Sequence, residues 1–98
     1  MRRAVGGHHC PLDFEVIGSG MEAEKLARRL ACALGALGWA AAIAVRADVQ
    51  AALDAGAMRD PVLLADGVLF AQGLARTEEL EQLLRVRIGV PGAPRAMA

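Results

Sequence analysis

Cysteine is scarce in this chain: Cys10 and Cys32 are its only two in 98 residues. That is too few for the disulfide framework that holds small secreted domains together, so a reducing compartment is expected. Long apolar runs are lacking as well. The longest, Trp39 to Val45, falls far short of the roughly 20 residues that cross a bilayer. The N-terminal stretch MRRAVGGHHCPLD carries two arginines but no apolar core of a secretory signal. A cytoplasmic protein without membrane attachment is therefore expected. Excess charge is missing too, since 11 acidic residues balance 11 basic ones. No net field draws the molecule to a polyanion, so nucleic acid is not an expected partner. There is no internal repeat, and the length suits one domain with one modest core.

What is present has a clear order. Residues 1–11 read as a flexible, Gly/His-rich arm. Leu12, Phe14 and Val16 then alternate with Asp13 and Glu15, the period of a strand ending near Ile17. From Met21 to Leu37, Leu26, Leu30, Leu34 and Leu37 recur with Ala23, Ala27 and Ala33 at helical spacing, and Gly38 ends the helix. WAAAIAV is short and continuously apolar, as a buried strand is. Strand, helix and strand in so short a span make a βαβ unit with parallel strands. Asp48 caps a second helix over Val49 to Ala55. In PVLLADGVLFAQG, two apolar runs flank Asp66-Gly67, a hairpin signal. Thr77, as N-cap, precedes Glu78 and Glu79 and a last helix whose buried stripe is Leu80, Leu83, Leu84 and Ile88. Residues 89–98, rich in Pro, Gly and Ala, read as a disordered tail. The expected fold is α/β, in the order β-α-β-α-β-β-α, with a four-stranded mixed sheet, helices on both faces, and a domain spanning residues 12–88.

Between the first strand and its helix lies GSGMEAE, Gly18 to Glu24, and before the hairpin lies GAMRDPVLLADG with Pro61 at the head of a strand. With these two stretches in place, the chain from about Leu12 to Leu84 resembles the small thioredoxin-like or glutaredoxin-like proteins, the hairpin block being the more specific part. The resemblance implies a Gly-x-Gly-Cys-x-x-Cys turn opening the first helix and a cis-proline at Pro61. It also implies a role in cell redox homeostasis and, where peptides are bound, a surface formed by the helix N-terminus and the proline loop. Here that surface comprises Gly18, Ser19, Gly20, Met21, Glu22, Glu24, Met58, Asp60 and Pro61. The sulfurs, however, are gone. Met21 stands where the first cysteine belongs and Glu24 where the second does. Thiol–disulfide exchange needs a thiolate to attack and a second sulfur to resolve the product, and a thioether and a carboxylate do neither. Dithiol oxidoreductase activity at this turn is excluded, and Asp60 before the proline, often Thr in the family, would itself oppose a thiolate. The expectation is a redox-inactive module that binds an unidentified protein or peptide, without a cofactor, and with homodimerisation open.

Other readings of the same residues stand beside this one. Ser19 with Glu22 makes a capping box, and the acids of the first turn suit the helix dipole, so the turn also has a purely structural account. Glu22, Glu24 and Asp60 beside Met21 could hold a hard cation. Gly18-x-Gly20-x-x-Ala23 matches a dinucleotide fingerprint, with Arg46 ending the next strand, although Glu22 would repel a pyrophosphate. His8, His9 and Cys10 are three soft-metal ligands in a row on the arm. Cys32 falls by helical phase opposite the leucine stripe, on the face of Met21, Lys25, Arg28 and Arg29. There it serves as a surface or partner contact, or as a single reactive thiol, with Cys10 the other thiol available for such chemistry.

Overall fold

The structure is a computed structural model that describes residues 2–4 as backbone and residues 7–18 and 20–91 in full. In chain order its elements are β1 (Arg2–Ala4), β2 (His8–His9), β3 (Phe14–Ile17), α1 (Gly20–Leu37), β4 (Trp39–Arg46), α2 (Val49–Asp54), β5 (Val62–Ala65), β6 (Val68–Gln72) and α3 (Thr77–Ile88). The mixed sheet runs β1-β4-β3-β5-β6, with the two-residue β2 also on β4. Five strands lie along this path, not the expected four. The added strand comes from the segment read as a flexible arm. Residues 2–4 pair antiparallel with Ala41–Ile43, and His8–His9 pair parallel with Trp39–Ala40. The Gly/His composition carries no strand period. What recruits it is the part of β4 that β3 leaves unpaired, whose amide and carbonyl groups need partners.

From β3 onward the element order is β-α-β-α-β-β-α. β3 and β4 are parallel with α1 crossing between them, while β5 runs antiparallel to β3 and β6 antiparallel to β5. Alternation along the strands sorts side chains between the two faces. Phe14, Val16, Ile43, Leu63 and Ala65 pack against Leu26, Leu30 and Leu34 of α1 and Leu80 and Leu84 of α3. Ile17, Val62 and Leu64 point the other way, toward Ala51, Ala52 and Ala55 of the α2 region. Helices thus cover both faces, α1 and α3 on one and the short α2 on the other. All seven apolar positions predicted for the α1 stripe are buried.

Several local expectations change. The strand expected from about Leu12 is β3 and begins at Phe14. Leu83, placed in the buried stripe of the last helix, is exposed. β4 is buried on one face only: Trp39, Ala41 and Ile43 are covered and Ala42 is exposed, because α2 spans too few residues to reach across that side. Thr77 opens α3 instead of preceding it, and the N-terminal bond is made by Glu79, whose Oε1 accepts from the Arg76 amide at 3.4 Å. Asp48 caps α2 as expected, its Oδ1 accepting from the Ala51 amide at 3.1 Å. The Asp66-Gly67 turn has φ of 51° and 80°, the two positive values of a type I′ hairpin. Gly89 caps α3, its amide donating to the Leu84 and Arg85 carbonyls, and the expected tail beyond Pro91 lies outside the described residues. No helix among the described residues is long and apolar enough to cross a membrane.

Candidate functional site

The two stretches singled out in the sequence meet at the C-terminal end of β3. The chain leaves β3 at Gly18, whose amide donates to the Arg46 carbonyl at 3.0 Å, and enters α1 at Gly20 with φ of 64°. β5 is antiparallel to β3, so its start, Pro61-Val62, lies beside this exit. A β-carbon at Gly18 would stand 3.0 Å from Pro61 Cβ, 3.1 Å from Asp60 Oδ1 and 3.4 Å from Ala23 Cβ. Glycine is what lets the backbone turn approach the proline this closely. The Asp60–Pro61 bond is cis. Pro61 itself is buried, whereas Asp60 and Glu22 are exposed and Glu24 is half-buried. Ser19, and with it the Ser19–Glu22 capping box, lies outside the described residues.

The sequence pattern assigns Met21 and Met58 to one surface, and both project into solvent, at 75% and 91% exposure. The structure adds a wall that the pattern does not reveal. α2 runs beside the 57–60 loop, and together they enclose a groove of about 200 Å³ lined by Val49, Ala52, Leu53, Ala57, Met58, Arg59, Asp60 and Val62. Met21 does not line it. Val49 and Leu53 are large exposed apolar residues on a one-and-a-half-turn helix, and their i, i+4 spacing sets them on one side of it. The loop is held from beneath by Gln72 of β6, whose Oε1 accepts from the Met58 amide at 2.7 Å and the Arg59 amide at 3.1 Å. Past the clamp, the Pro61 carbonyl accepts from the Gly73 amide at 2.8 Å. The Asp60 amide and carbonyl between them take no hydrogen bond among the described residues. A sequence signal for Val49 and Leu53 does exist, two apolar residues four apart on a helix too short to bury both; Gln72 carries none, because its role depends on register.

The remaining candidates separate. His8 and His9 alternate along β2 and are exposed, while Cys10 is buried and joins the core. No group of three or more His, Cys, Asp or Glu side chains gathers among the described residues, so neither the His8-His9-Cys10 run nor the Glu22, Glu24 and Asp60 set is assembled as a metal site. Arg46, considered as a phosphate partner, instead pairs with Glu15 at 2.8 Å. Both cysteines are free. Burial pushes the Cys10 thiol up from its ordinary value, with Asp66 and Asp13 adding to the rise against a lowering backbone bond at Leu12. A thiol that is 2% exposed and held protonated is a poor nucleophile, which corrects its place among the reactive candidates. Cys32 is exposed on α1 as helical phase requires. No family model matches the chain, and no curated protein or solved structure matches it.

Proposed function

We propose that this protein is a redox-inactive binding module of thioredoxin-like descent that takes an extended peptide segment on the surface around Asp60. The observation that carries the reading is the groove between α2 and the 57–60 loop. It offers apolar side chains, Val49, Leu53 and Met58, directly beside a backbone position whose amide and carbonyl are unengaged among the described residues. Peptides that add to an exposed backbone gain affinity from main-chain hydrogen bonds and selectivity from pockets for alternate side chains, and both elements adjoin here. The volume favours the same reading, since about 200 Å³ is below the range of cavities that enclose a whole small-molecule ligand, roughly 300 to 1,000 Å³. A methionine in such a wall adapts to several side-chain shapes. The residues at the helix turn support binding over catalysis: Met21 and Glu24 supply neither an attacking nor a resolving sulfur.

Selection from a displayed peptide library, followed by calorimetry of the selected sequences, tests this. Extended peptides with apolar side chains at alternate positions are the expected winners. Leu53→Lys and Met58→Lys should each weaken them about tenfold to a hundredfold, the worth of one buried apolar side chain. Both side chains are exposed, 60% and 91%, so the variants should melt as the parent does. Peptides that bind Leu53→Lys as tightly as the parent would remove the groove from the binding surface.

A further inference from the structure

On the opposite side of the sheet, α1 and the start of α3 enclose a second, shallow concavity of about 280 Å³, lined by Lys25, Arg28, Arg29, Cys32 and Thr77. Three of these five side chains are cations and none is a carboxylate. Lys25, Arg28, Arg29 and Cys32 are spaced three, four and seven residues along α1, which stacks them on one helical face. Like charges so placed repel, and the arrangement is relieved only by anions from outside or by acidic side chains within reach. Glu22 and Glu24 precede the groove on α1 and do not line it, and Glu78 and Glu79 in the first turn of α3 do not either. Glu79 is turned back onto the Arg76 amide. Lys25 and Arg28 form no ion pair among the described residues. Arg29 Nη1 donates to the Ala75 carbonyl at 3.1 Å, which fixes the guanidinium across the groove floor without cancelling its charge. Inside this cationic concavity lies the exposed, free thiol of Cys32.

We propose that this groove is an anion-binding site that steers acidic small-molecule disulfides onto Cys32, making Cys32 a site of reversible S-thiolation. The step is an exchange. The Cys32 thiolate attacks one sulfur of the disulfide, a Cys32–sulfur bond forms, the original S–S bond breaks, and the second half leaves as its thiolate; the proton lost from Cys32 goes to solvent. No net oxidation occurs beyond that already carried by the disulfide, and a free thiol reverses the step. The cations raise the local concentration of a carboxylate-bearing reactant beside the sulfur. This site is separate in the fold from the peptide groove and stands or falls independently of it.

The test is the rate of adduct formation on the folded protein, followed by intact mass and peptide mapping, with three probes: anionic glutathione disulfide, uncharged hydroxyethyl disulfide and cationic cystamine. An unstructured cysteine peptide treated identically removes the probes' intrinsic reactivity. The expected result is a single adduct, on Cys32 and not on buried Cys10, with the ratio of anionic to cationic rates about tenfold above that of the peptide. Lys25→Gln with Arg28→Gln should bring the ratio back to the peptide's value, and high salt should do the same to the unsubstituted protein. A ratio equal to the peptide's, a ratio that the double substitution or salt leaves unchanged, or an adduct on Cys10 would each overturn the proposal.

Discussion

Gly18 is where a single atom would tell. A methyl group there would press on Pro61 Cβ at 3.0 Å and Asp60 Oδ1 at 3.1 Å, and the proline is held in the fully buried interior, so the strain cannot be relaxed by rotating a side chain away. Gly18→Ala is expected to destabilise the protein by about 1–3 kcal/mol, as overpacking does. Gly35 offers the opposite case within the same chain. It lies inside α1 with nothing within 4 Å of its added β-carbon, so Gly35→Ala should stabilise by roughly 0.5–1 kcal/mol, because alanine loses less backbone freedom in a helix. Urea unfolding of the two variants checks both signs at once, and a Gly18→Ala protein as stable as the parent would show that the turn and the 60–61 loop yield to each other. At this scale the sequence is informative about residue type and silent about contact. Gly18, Met21, Met58 and Asp60 can be picked out by position alone. That Gly18 abuts Pro61, that Met58 and not Met21 belongs to a groove, and that Cys10 is sealed inside cannot, because each depends on which strands become neighbours.

At the scale of elements, the ties between the pieces are few and specific. Trp39 opens β4, and its Nε1 donates to the Gly89 carbonyl at 3.1 Å just past the end of α3, so one indole fastens the start of a strand to the last turn of a helix. Trp39→Phe keeps most of the buried ring and loses the bond. The cost should be about 0.5–1.5 kcal/mol, read from the shift in the urea midpoint at unchanged slope. A loss well above that range would mean that the ring's packing, and not its N–H, holds α3. Elements with their own internal signal are legible in the sequence. α1 declares itself by the leucine period, the hairpin by Asp66-Gly67, and α2 by Asp48. The start of α3 differs from its expected place by one residue because Thr77 and Arg76 both precede glutamates, and the reciprocal bond to Glu79 is a matter of geometry. The strands in residues 2–9 have no signal of their own, since their pairing is imposed by β4.

For the whole molecule, those first residues matter more than their composition suggests. β4 is the longest strand, eight residues of which seven are Trp, Ala, Ile or Val, with Arg46 alone at its end. One of its sides is taken by β3. The same side is met nearer its start by β2, extended by the Cys10 amide donating to the Ala40 carbonyl at 2.8 Å, and the other side is taken by β1. A chain lacking residues 1–9 should therefore keep its helical circular dichroism and yet self-associate, with light scattering that grows with concentration and time. A truncated protein that stays monomeric would show that β4 needs no such cover. The opening segment then works as a sheath: it occupies hydrogen-bonding places that would otherwise recruit a second molecule strand to strand, and clipping it by a protease would lay bare a seed for fibres.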